Sequence, residues 1–301
     1  AATRLEAVRY FDIADTNSEY ARYRAGELDV TLNLPMTTLE QLRAKHGNAV
    51  RVTPSLAIYY YGFNLKKPPF TSRDVREALA MTVDRERLVR LVTAMGETPA
   101  YAWVPIGMPG YTPQKSTWAN LPYAERVSRA RELVAKAGYS SSRPLRFELR
   151  YNTGTGHEKI AIAVSAMWKE AVNADVTLVA EEFKALLQTI QRGDAQVFRS
   201  SWSADVPDAY AFVNVFSKDH EFNLTRYYNP KFEALMTQAF QAPDPANRQA
   251  LVESAERLVL EDAAIVPLYF MVNRRLVSPR VVDWKDNALR TVYSQDVTVT
   301  K

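Results

Sequence analysis

The sequence has 301 residues, 47% hydrophobic and 24% charged, so it can bury a sizeable core as one large domain or two smaller ones. Its 38 basic and 34 acidic residues leave a formal charge of +4 with both signs interleaved, unlike the one-sided basic face of a nucleic-acid binder. Cysteine is absent, which excludes disulfides, thiolate metal sites and cysteine nucleophiles.

Near the start, Thr16 to Tyr23 suits a helix, Gly26 a stop, and Leu28-Asp-Val-Thr-Leu32 alternates like a strand. The opening Ala1 to Glu6 lacks a charged-then-apolar signal pattern, although a signal removed in processing stays open. No apolar run approaches the roughly eighteen residues that span a bilayer. Leu56 to Phe63, rich in aromatic and β-branched residues, predicts a second strand that ends at Lys66-Lys-Pro-Pro69. Thr71 and Asp74 have capping-box spacing before a helix to about Thr82, and Asp84 suits the cap of the next. The basic run Arg85 to Arg90 reads as a solvated helix face.

Tyr101 to Pro122, full of Pro, Gly and aromatic residues, predicts a long ordered loop placed to lie over a cleft. A helix over Ala124 to Ala137 ends at Gly138. Then come strand Leu145–Tyr151, helix Lys159–Ala171, strand Val176–Ala180, helix Phe183–Gln191 and strand Gln196–Ser200. Right-handed crossovers would place this β-α-β-α-β run in a parallel sheet, whose ligands bind beyond the carboxyl ends of the strands. Two unusual segments stand at such ends, Asn152 to His157 and Arg199 to Asp205. Helices at Pro230–Ala239 and Ala246–Leu260 and the apolar strand Ala264–Val272 follow.

The only histidines are His46, His157 and His220, without helical metal-ligand spacing, so no metal site is expected. There is no G-x-S-x-G elbow, Walker loop or G-x-G-x-x-G fingerprint, and no catalytic residue or cofactor is indicated. Gly154 and Gly156 suit a connecting turn better than an anion cradle. Arg199 at the end of an apolar strand and Asp205 six residues on are either an internal ion pair or a capping aspartate, or they are receivers for a ligand's carboxylate and ammonium.

Several motifs resemble the oligopeptide-binding proteins of ABC importers, solute-binding family 5, in that family's order. They are Tyr23-Arg-Ala-Gly-Glu-Leu-Asp29, Tyr59-Tyr-Tyr-Gly-Phe-Asn64 with Lys67-Pro-Pro-Phe70, Asp74-Val-Arg-Glu-Ala-Leu79 and Asp84-Arg85. Tyr151-Asn-Thr153 with His157, Trp202-Ser-Ala-Asp205, and Ile265-Val-Pro-Leu-Tyr269 with Val272-Asn273 complete them.

The resemblance implies an α/β, periplasmic-binding-protein-like two-lobed fold, with this chain matching the larger C-terminal part. Residues 1–56 and 273–301 would belong to lobe one and residues 57–272 would form lobe two. It implies a periplasmic, monomeric receptor, not an enzyme, that closes by hinge bending over an extended short peptide and hands it to a membrane permease. Asp205 would take the ligand's α-amino group, with Ser201 and Ser203 pairing through their backbone. Arg199 and His157 would meet ligand carboxylates, Trp202 would be a pocket wall with Asn152 nearby, and Phe183 would line a side-chain pocket. Phe183 replaces the family's tryptophan, and Ile190 and Thr93 stand where basic residues assist with the carboxylate. Open alternatives are another solute (murein peptide, antibiotic, opine or metal chelate), the sensor domain of a transcription regulator, and least of all a peptidase.

Overall fold

A computed structural model of the chain describes residues 4–13, 15–35, 39–154 and 156–300; Ala1 to Thr3, and Thr155 of the expected Asn152 to His157 segment, lie outside them. Helices α1 (Thr16–Arg24) and α2 (Leu39–His46) precede strand β1 (Val50–Phe63). Next come α3 (Arg73–Met81), α4 (Arg85–Arg87), which runs on as a π-helical turn over Leu88–Thr93, and the short β2 (Thr98–Pro99). The central section is α5 (Tyr123–Lys136), β3 (Arg146–Asn152), α6 (His157–Val172), β4 (Asp175–Glu181), α7 (Phe183–Arg192) and β5 (Val197–Ser203). The chain ends with α8 (Ala209–Val213), α9 (Pro230–Gln241), α10 (Pro245–Glu261), β6 (Ile265–Leu276), β7 (Val281–Val282) and β8 (Thr298–Val299).

Six strands form one sheet in the order β2-β6-β1-β5-β3-β4. The expected β-α-β-α-β run is there, with β3 parallel to both β4 and β5. The whole sheet is mixed, however, because β1 lies antiparallel against β5. Strands β4 and β5 flank β3 on opposite sides, so the direction of winding reverses at β3, and right-handed crossovers put α6 and α7 on opposite faces. Alternation along β1 then sorts its tyrosines: Tyr61 meets Trp168 of α6, while Tyr60 meets Trp103. Buried aromatics continue this core through Phe63 stacked on Phe70, with Phe147 set edge-on to both Phe70 and Trp168.

The chain divides into two compact units, Ala1–Leu56 with Ala94–Glu97 and Met271–Lys301, and Ala57–Thr93 with Thr98–Phe270. The first is built on Leu34, Leu39, Leu42, Val50, Met95 and Leu276. The second holds the central section and everything discussed below as the site.

Several expectations need correction. Leu28 to Leu32 is not a strand; Val30 makes a single bridge to Val277, and the buried Glu19 carboxylate accepts from the Leu32 N–H instead of a ladder partner. The cap of α3 is Ser72, whose hydroxyl accepts from Val75 N–H, so the expected Thr71–Asp74 box does not form. Asp84 does cap α4. Arg85 is wholly buried rather than solvated. It donates to the carbonyls of Pro267, Ala80 and Val83 and lies over the rings of Tyr101 and Trp118, while Arg87 and Arg90 remain exposed. The segment from Tyr101 to Pro122 is irregular as expected, but it is pinned to α10: Glu256 accepts from the N–H groups of Trp103, Val104 and Gln114 and from the Tyr111 hydroxyl. Strand β5 outruns its expected end at Ser200 and takes in Ser201, Trp202 and Ser203.

Candidate functional site

Strands β3 and β5 end side by side at the point where the winding reverses, the usual ligand position of an open α/β sheet. Their ladder stops early, with Leu149 opposite Val197 and Arg150 opposite Phe198. Strand β5 runs on to Ser203 against β1 alone, with Tyr61 opposite Arg199, Tyr59 opposite Ser201 and Ala57 opposite Ser203. The other edge of Arg199 to Ser203 therefore has no ladder partner among the described residues, which leaves room for one more strand.

Arg199 is half-buried, and its surroundings are aromatic instead of acidic. It donates to Asn152 Oδ1 at 3.0 Å, its guanidinium lies 4.7 Å from the centre of the Tyr59 ring, and its Nε is buried with no partner among the described residues. Tyr59 is 1% exposed; its hydroxyl lies 3.1 Å from His157 Nδ1 and its ring stacks on Tyr269 at 4.8 Å. His157 opens α6 after Gly156, whose φ of 82° places it in the left-handed region that suits glycine. Burial, helped by the charge of Arg199, pushes the His157 imidazole down to about 4, so the ring is neutral at neutral pH. Burial also pushes the Tyr59 phenol up to about 12 against the pull of Arg199, so it keeps its proton.

Arg199, Asn152 and His157 are thus brought together around Tyr59. Other candidates stand apart from them. Trp202 points to the other face by alternation, meeting His220 edge-on at 6.1 Å and Phe222 at 5.4 Å, with its indole N–H buried and unpartnered among the described residues. Ser201, Ser203 and Asp205 are exposed at the end of β5, and Phe183 is 50% exposed at the start of α7. Ile190 is buried, and it borders a cavity of about 590 Å³ shared with Lys66, Lys218, His220 and Arg226. Among the described residues no group of three or more His, Cys, Asp or Glu is placed to hold a metal ion.

Tyr59 and Tyr269 were not among the residues expected to form the site. Alternation in Tyr59-Tyr60-Tyr61 was the available signal, since it separates Tyr60 from the other two, but it does not say which face carries Arg199.

Residues 1–223 match the family model for bacterial extracellular solute-binding proteins, family 5. The chain is 36% identical over 303 residues to the periplasmic oligopeptide-binding protein of Escherichia coli, covering 100% of this chain and 56% of that protein. It is 37% identical over 298 residues to an Escherichia coli protein named probable deoxycholate-binding periplasmic protein, covering 99% and 55%. Among solved structures, the Haemophilus influenzae oligopeptide-binding protein in complex with the peptide RPPGFSPFR superposes with a TM-score of 0.85 at 32% identity, covering 95% of this chain and 57% of that one. The chain therefore spans a little over half the length of these relatives. No helix among the described residues is long and apolar enough to cross a membrane.

Proposed function

Because this chain belongs to family 5 of the bacterial extracellular solute-binding proteins, we propose that it carries much of the ligand site of a periplasmic, monomeric receptor that binds short extended peptides and delivers them to an ABC permease. It acts by binding and not by catalysis. Residues 1–56 and 273–301 are assigned to lobe one and residues 57–272 to lobe two. The division of the chain near Leu56 and Phe270 supports that assignment.

The observation that carries the reading is the open edge of β5 from Arg199 to Ser203, with a half-buried cation at one end and the exposed Asp205 just beyond the other. An extended peptide pairs with such an edge through main-chain hydrogen bonds, which bind many sequences with similar affinity. Asp205 then receives the α-ammonium group, and Arg199 with neutral His157 receives a carboxylate. The relative crystallised with a peptide supports a peptide ligand. Trp202 and Phe183 serve as side-chain pocket walls, and Asn152 holds Arg199 in place.

Asp205→Asn tests the amine anchor. Calorimetry on the full-length protein should show an unblocked tripeptide binding roughly 10- to 100-fold more weakly, the loss of one charge-assisted hydrogen bond. An unchanged affinity would remove Asp205 from the site. Arg199→Met should weaken peptides of some lengths more than others, because the carboxylate reaches it only at certain lengths; an equal loss for di-, tri- and tetrapeptides would make Arg199 structural.

The relative named for deoxycholate favours a second reading. Deoxycholate is a carboxylate without an amine, so Arg199 and His157 suit it and Asp205 has no part in it. Deoxycholate binding that survives Asp205→Asn, with no tripeptide bound by either form, would select this reading.

A further inference from the structure

The resemblance gives Tyr59 no role in binding, yet it touches both residues assigned to the ligand carboxylate. Its hydroxyl lies 3.1 Å from His157 Nδ1, and the Arg199 guanidinium lies over its ring at 4.7 Å. The direction of this bond follows from chemistry. A phenol donates better than it accepts, and the Arg199 charge beside the ring strengthens it as a donor and weakens it as an acceptor. Its single proton is therefore donated to His157 Nδ1. A ring nitrogen that accepts carries no proton, so a neutral His157 holds its proton on Nε2.

We infer that Tyr59 is a positioning residue that holds Arg199 in place and fixes His157 as its Nε2–H tautomer, so that a ligand carboxylate meets two donors. This rests on the carboxylate-binding reading of Arg199 and His157 proposed above. Tyr59 is itself immobilised, 1% exposed and stacked on Tyr269 at an angle of 16°. It lies on β1 directly opposite Ser201, so its placement depends on the antiparallel pairing that also exposes the far edge of β5. The neutral state of His157, set by burial, leaves the tautomer as the property that Tyr59 decides.

Long-range proton–nitrogen NMR correlations on the full-length protein read the His157 tautomer directly. The wild type should show a proton on Nε2 alone. A proton on Nδ1 overturns the inference without the need for any variant. In Tyr59→Phe both tautomers should appear, and affinity for an unblocked tripeptide should fall roughly 3- to 10-fold, while affinity for the same tripeptide amidated at its C-terminus is unchanged. Equal losses for the two peptides, or a tautomer unchanged in the variant, would leave Tyr59 as a packing residue. Should wild type bind acid and amide equally, the carboxylate reading fails, and the NMR result still decides whether Tyr59 sets the tautomer.

Discussion

Glu256→Ala is expected to lower stability by about 4 kcal/mol or more and the melting temperature by on the order of 10 °C at pH 5. Glu256 is wholly buried, and one oxygen accepts from the N–H groups of Trp103 and Val104 while the other accepts from the Gln114 N–H and the Tyr111 hydroxyl. Truncation removes the partner of four donors, two of them on the buried Trp103 and Val104, and each orphan left buried costs about 1–3 kcal/mol. Because these donors lie between residues 103 and 114, the loss falls on the whole irregular segment that Glu256 holds against α10. Calorimetry showing less than about 1 kcal/mol of change would mean that this segment is held by its own packing.

The same carboxyl makes stability depend on pH. Burial pushes it up to about 7, against the downward pull of its four hydrogen bonds. With a folded-state value above its ordinary 4.5, its contribution is complete below about pH 4.5 and is given up as pH rises through about 7. The difference amounts to roughly 3 kcal/mol across that window. Glu256→Gln cannot titrate, so its stability should not show this decline, and an identical pH dependence in wild type and variant would assign the decline to other groups.

Gly62→Ala is the second large effect, with about 3 kcal/mol of lost stability expected and a melting temperature lower by roughly 6–12 °C. A Cβ at residue 62 would stand 2.3 and 2.5 Å from ring atoms of Phe198, its partner in the β1–β5 ladder. The Phe198 ring is 1% exposed and lies within the core, so relief requires the ring or strand β5 itself to shift. Arg199 is the next residue, and its bond to Asn152 and its place over Tyr59 depend on that strand. Peptide affinity should therefore fall together with stability. Phe198→Leu in the Gly62→Ala background should recover part of both losses, since it shortens the group that the new methyl strikes. A melting temperature equal to that of wild type would show that the ring does not cover Gly62.

Much of the fold was legible because its signals are local. Helical and alternating periods in residues 145–203 depend on near neighbours in sequence, so the order of β3, α6, β4, α7 and β5 could be read directly, with ends wrong by a few residues. The placing of Asn152, His157 and Arg199 at the carboxyl end of a sheet followed from that order. The order and types of the motifs were enough to point to the solute-binding family. Where the sequence misled, distant backbone was the reason. Arg85 looked solvated because its helix is short and basic, but the Pro267 carbonyl that it reaches is 182 residues away. Leu28 to Leu32 had the period of a strand, but it meets the end of β6 through a single bridge, Val30 to Val277, and does not extend it into a ladder.

The sequence by itself therefore determined the β-α-β-α-β run of residues 145–203, the family and the strand end that carries Arg199, with Asp205 just beyond it. Only the tertiary structure decided that β1 runs antiparallel beside β5. That pairing brings Tyr59 to His157, 98 residues apart, and sets its ring under Arg199. No local pattern encodes it, because strand pairing is chosen by burial of both faces of the finished sheet, and the same alternation in β1 is compatible with either neighbour and either direction.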